Sequence, residues 1–155
     1  MKRFAASLIG LLAPLLVCAP AAHAATFYVT VAGLGGEPDY VQEFTSEATE
    51  LDKLLKASGP DNHVQTLTGN QATRAHVEEV LAQVAREAKP EDAFVLTLIG
   101  HGSFDGVEYK FNLPGPDISA AQLAALCDRI AATRQLVVNT TSCSGGSIGA
   151  LERNG

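Results

Sequence analysis

Basic residues are scarce in this chain of 155 residues: 11 lysines and arginines stand against 17 aspartates and glutamates, for a formal net charge of −6. No cluster of lysine or arginine occurs in its body, which argues against a phosphate-tracking surface, because nucleic-acid binding depends on dense positive charge. No long apolar run follows the first one, so no second segment suits a bilayer. Metal-ligand spacing is missing, since nothing brings at least three His, Cys, Asp or Glu ligands into one pattern. The nucleophile elbow Gly-x-Ser-x-Gly is missing too: with Ser142 as the nucleophile, Thr140 stands where the first glycine belongs. Charged residues make up 18% and hydrophobic ones 46%, which excludes disorder, collagen-like repeats and a coiled coil and leaves one globular domain.

The amino-terminal residues have the three parts of an export signal. Lys2 and Arg3 form a charged start, an apolar stretch runs from Phe4 to about Val17, and Ala22-His23-Ala24 supplies small residues for cleavage before Ala25. A membrane anchor competes with this reading, but Pro14 and Pro20 leave the apolar run too short to span a bilayer comfortably. Val17 is larger than the residue expected before a lipidated cysteine, so Cys18 belongs with the signal. The expected organisation is a signal peptide at 1–24 and a domain at 25–155 that is exported, periplasmic or secreted. That domain has 131 residues, nine of them basic and 17 acidic. Its two cysteines, Cys127 and Cys143, invite a disulfide in an oxidising compartment.

Strands alternate with helices along the domain. Thr26 to Ala32 is β-branched and aromatic and stops at Gly33-Leu34-Gly35-Gly36. From Tyr40 to Ala57, Val41, Phe44, Ala48, Leu51, Leu54 and Leu55 recur at helical steps. His63 to Thr68 reads as a strand, and Thr73 caps a helix to about Ala88 with Val77, Val80, Leu81 and Val84 on its apolar face. Phe94 to Ile99 is a continuous apolar run suited to a central strand buried on both faces. Val107 to Leu113 suggests a hairpin, and Ser119 a cap for a helix with Leu123, Leu126, Cys127 and Ile130 in its stripe. Gln135 to Thr140 is a further strand. The order predicts a parallel sheet covered by helices, with right-handed crossovers.

Chemistry in such a sheet collects beyond the carboxyl ends of the strands, where His101 and Cys143 both fall. Cys127 lies instead on a helix stripe and reads as a small buried hydrophobe, which makes its pairing with Cys143 the lesser reading. A cysteine and a histidine facing one cleft suit acyl transfer. The thiolate attacks a carbonyl carbon, imidazole protonates the leaving amine, and the amides of Gly102 and Cys143 are the natural oxyanion donors. His63 falls at the wrong end of the sheet for this cleft, and His76 on the exposed side of a helix. Asp105 is near enough to orient His101, yet Asp105-Gly106 reads better as an exposed turn.

These residues resemble the caspase-like (clan CD) cysteine peptidases, in which one hydrophobic strand ends in His-Gly and a later one in the nucleophilic cysteine. The match is nearest to bacterial members of the legumain-like peptidase family C13, through His101-Gly102-Ser103 and Cys143-Ser144-Gly145-Gly146-Ser147. Val31-Ala32-Gly33 and the Phe111-Asn112-Leu113-Pro114 stretch also resemble that family. The resemblance implies a caspase-like three-layer α/β/α fold with a mostly parallel sheet. It implies a cysteine endopeptidase with Cys143 as nucleophile, His101 as general acid and base, a peptide or protein substrate, and no metal or organic cofactor. Thr141 and Ser142 stand where legumains have an acidic and a small residue, and Leu34-Gly35-Gly36 where they have an asparagine. Clan members continue through further strands, whereas this sequence stops 12 residues past Cys143. An incomplete carboxyl-terminal part is therefore expected, with self-association through an uncovered sheet edge. A peptidase-like binding module without activity is the alternative.

Overall fold

The computed structural model of the chain describes residues 24–152. The expected signal segment apart from Ala24, including Cys18, lies outside the described residues. Strand β1, Thr26–Ala32, is built of the β-branched and aromatic residues that suit a pleated surface. Helix α1, Pro38–Ala57, starts on a proline, whose missing N–H costs nothing in the first turn. Strand β2, Asn62–Leu67, follows. Helix α2, Arg74–Glu87, is capped by Thr73, whose side chain accepts from the His76 N–H. Strand β3 is Ala93–Ile99.

Three short strands come next: β4, Gly102–Phe104, β5, Tyr109–Phe111, and β6, Ile118–Ser119. Helix α3, Ala120–Cys127, opens with a reciprocal cap in which the Gln122 N–H donates to Ser119 Oγ and the Ser119 N–H to Gln122 Oε1. Strand β7, Arg134–Asn139, leads through a 3-10 turn at Ser144–Ser147 into a short α4, Ile148–Leu151.

The main sheet is wholly parallel, in the order β2-β1-β3-β7. The chain steps one way from β1 to β2 and the other way from β2 to β3 and β7. With crossovers of one hand, that reversal puts α1 on one face and α2 and α3 on the other, giving a three-layer α/β/α domain. The two faces differ in depth. Phe27, Val29 and Val31 pair in register with Phe94, Leu96 and Leu98, and against these rungs pack Val77, Leu81 and Val84 of α2 and Leu123 and Cys127 of α3. Each such side chain is worth about 1.5–3 kcal/mol of burial. On the α1 face the buried apolar cluster among the described residues is Ala32, Ala48 and Ile99, with Phe44 beside them.

Three expectations are corrected. β3 is central but not buried on both faces, because Ala93, Val95 and Thr97 are only half covered beneath a single helix. On α1, Val41 and Leu54 are exposed, at 42% and 69%, and only Ala48 is fully buried. Ile130 is buried but lies past the end of α3. A further correction concerns the expected hairpin at Val107 to Leu113. It is a three-stranded antiparallel sheet that begins at Gly102, in the order β4-β5-β6. Among the described residues β7 has no strand on its outer side, and its Leu136 is exposed. No described helix is long and apolar enough to cross a membrane.

Candidate active site

The reversal of strand order falls between β1 and β3, and loops beyond the carboxyl ends of such strands form the crevice where open α/β sheets bind ligands. His101 enters it just after β3. Gly100 holds φ at 139°, a region that side chains rarely adopt, and this turns the chain out of the sheet. The His101 carbonyl accepts the Asn112 N–H at 3.0 Å, tying it to the antiparallel sheet. Its half-buried ring meets Tyr40 and Phe44 of α1 edge-on, with centroids 5.2 Å away in both cases. These two aromatics position the imidazole by packing. Their spacing of four residues on one helix was the signal for them, but in the sequence Phe44 reads only as part of an apolar face and Tyr40 only as the start of the helix.

Cys143 follows β7, the neighbour of β3. It is exposed, whereas Cys127 is buried, and the two are not joined in a disulfide. Cys143 is the one non-glycine residue with positive φ among those described, at φ 58° and ψ 16°. Such a conformation costs roughly 1–2 kcal/mol and persists only where the surroundings impose it. They do so from both sides. Asn139 Oδ1 accepts from the Thr141 N–H and hydroxyl at 3.2 and 2.8 Å, while Asn139 Nδ2 donates to Ser147 Oγ at 3.0 Å. The Ser147 hydroxyl donates in turn to the Ser144 carbonyl, and the Gly146 N–H to that of Cys143. Tyr109, buried in β5, bonds its hydroxyl to Thr141 Oγ1 and so links the loop to the second sheet.

The two candidate residues are joined through their chain neighbours. The Gly102 N–H donates to Ser142 Oγ at 3.1 Å, and the Ser142 hydroxyl donates to the Gly102 carbonyl at 3.1 Å, across 40 residues of sequence. Gly102 is required there. A Cβ would lie 2.5 Å from the Ser142 carbonyl oxygen and 2.6 Å from the Tyr109 ring. The same contact engages one expected oxyanion donor, so in this structure the Gly102 amide serves Ser142. In the sequence Ser142 reads as a candidate nucleophile and as a departure from the legumain pattern, and its neighbour across the cleft carries no signal there.

The remaining candidates lie elsewhere. Asp105 is exposed and its carboxylate accepts from the Val107 and Glu108 N–H groups, so it closes a turn and leaves His101 alone. These bonds, Glu108 first, hold its carboxyl below the usual range. His63 stacks on Phe27 near the amino end of the sheet, at 4.6 Å. His76 is half-buried rather than exposed, with Nδ1 3.0 Å from the Gln71 carbonyl oxygen. No group of three potential metal ligands occurs among the described residues. A groove of about 720 Å³ runs along the outside of α1 past Val41, Thr45 and Lys53 and contains neither His101 nor Cys143. A smaller one of 480 Å³ adjoins Cys143, lined by Val137, Asn139, Ser144, Gly145, Ser147 and Ile148 among others.

Fold and site together define an α/β/α domain with a histidine and an exposed cysteine at the carboxyl edge of a parallel sheet. Among solved structures, protein GSU0716 from Geobacter sulfurreducens shares the fold, with a TM-score of 0.59 and 20% identity over 76% of this chain. The match spans only 50% of that protein's chain. No protein-family model and no curated protein sequence matches this chain.

Proposed function

We propose that the protein is an exported cysteine endopeptidase of the caspase-like, legumain-related kind. Cys143 attacks the scissile carbonyl carbon, and the carbonyl electrons move onto oxygen. The oxyanion collapses to a thioester as the amine leaves with a proton from His101. Water then adds to the thioester, His101 takes its proton, and a carboxylic acid departs as the thiol is restored. The Cys143 amide stabilises the oxyanion, joined by the Gly102 amide once substrate displaces Ser142 Oγ. The observation that carries this reading is the Gly102–Ser142 pair of hydrogen bonds, which holds the neighbours of His101 and Cys143 together at the ends of adjacent strands. Peptide or protein is the substrate, with no cofactor. The open edge of β7 also suits pairing with a second copy of the chain.

One observation favours a second reading, a binding module without peptidase activity: the Gly102 amide is already satisfied. Iodoacetamide labelling of the exported protein across roughly pH 5 to 9 separates the two, with the His101→Ala variant alongside. For a peptidase, Cys143 labels ahead of a free thiol and loses that advantage in the variant, and peptide cleavage falls by roughly a hundredfold or more. Labelling at the free-thiol rate in both proteins, or a Cys127–Cys143 disulfide in the peptide map, sinks the peptidase reading.

A further inference from the structure

At the amino end of β3, opposite His101 and Cys143, the domain buries a carboxylate. Asp92 is 5% exposed and accepts two main-chain hydrogen bonds, from Ala25 and Lys89, both at 2.8 Å. Both donors are neutral amides. Among the described residues no side-chain cation lies within ion-pair distance of it. Lys89 and His63 are the charged and titratable side chains facing it, and they act only at longer range. The two main-chain N–H groups hold the carboxylate in its charged form, and a cation beside it would add a charge-assisted bond to theirs.

Ala25 itself is held like a strand interior. Its carbonyl accepts the Ala93 N–H at 2.9 Å, the next N–H reaches the Asp61 carbonyl at 3.1 Å, and its methyl group packs against the core. Ala24 is exposed. The bond that the Ala22-His23-Ala24 pattern marks for cleavage therefore joins an exposed residue to one whose nitrogen already rests on Asp92.

We propose that hydrolysis of the Ala24–Ala25 bond during export turns the Ala25 nitrogen into an α-ammonium that ion-pairs with Asp92. This rests on the export part of the proposed function and is independent of peptidase chemistry. One water adds across the bond, under a signal peptidase of the exporting cell. Ala24 leaves with the leader as a carboxylate, and the nitrogen of Ala25 departs protonated. That nitrogen does not need to move, since one N–H points at Asp92 Oδ1 before cleavage. Leader removal thus supplies the cation that the buried carboxylate lacks and anchors the start of β1, so that processing stabilises the domain.

The test is made on the full chain, exported from a bacterial host and purified. Intact mass and amino-terminal sequencing identify the first residue, and acetylation near pH ~8, with lysines as internal reference, reports the α-amine's reactivity. The expected first residue is Ala25. Its amine reacts about tenfold more slowly in the folded protein than in urea, as for a base held about one pKa unit higher. Asp92→Asn removes that protection. A chain that keeps its leader overturns the proposal together with the export reading, and a mature chain starting at another residue overturns the proposal alone. A chain starting at Ala25 whose amine reacts equally fast folded and unfolded overturns the ion pair alone. Should Asp92→Asn not fold, the comparison of folded with denatured wild type decides.

Discussion

Glycine at 102 and glycine at 145 test how far the candidate site depends on close approach. A Cβ at Gly102 would run into the Ser142 carbonyl and Tyr109, while one at Gly145 meets nothing within 4 Å. Gly102→Ala is expected to cost about 1–3 kcal/mol, as for overpacking, and to slow Cys143 alkylation by pushing the cysteine loop away from His101. Gly145→Ala is expected to stay within about 0.5 kcal/mol of wild type. Urea midpoints and alkylation rates of the two variants check both outcomes. Equal losses would mean that the Gly102–Ser142 contact is not what holds the loop.

Helices in this fold differ in how much of their apolar pattern they use. Leu123 of α3 is fully buried against α2 and the sheet, whereas Leu54 of α1 is 69% exposed although it belongs to an equally regular stripe. Leu123→Ala is therefore expected to cost about 2–5 kcal/mol, through lost burial and the cavity left behind. Leu54→Ala should change stability by no more than about 0.5 kcal/mol. Chemical denaturation of both variants measures the contrast. A large loss at Leu54 would show that something covers that side of α1 in solution. The reason for the contrast is topological: α2 and α3 share one face of four strands, and α1 alone meets the other.

For the whole molecule, acid is the informative stress. Asp92 titrates below its ordinary value of 3.8, chiefly because the Lys89 main-chain N–H bonds it and then because Ala25 does. Asp52 does so through its hydrogen bond from Lys56, with Thr66 adding to it. A lowered folded pKa means stability that is present above the unfolded value and lost as pH falls through the folded one. Both contributions are thus intact at neutrality and fade below about pH 4. Urea midpoints at about pH 6 and about pH 3 should show that fall, and Asp92→Asn should lower the first value and shrink the difference. An unchanged difference would mean that Asp92 is not held as the geometry indicates.

Local chemistry made much of the architecture legible. β1 spans Thr26–Ala32 as expected, Thr73 and Ser119 cap the helices they were read to cap, and His101 and Cys143 follow neighbouring strands, because propensity, capping and periodicity act within a few residues. The short strands β4 and β6 escaped, having too few residues to show a period, while β5 falls inside the expected hairpin. So did the parts of the site made by distant pairs: Tyr40 and Phe44 against His101, and Ser142 against Gly102. The amino-acid sequence by itself determined which segments become strands and helices and which residues end them. Only the tertiary structure decided what those ends meet, because the sheet order brings together groups that no local pattern relates.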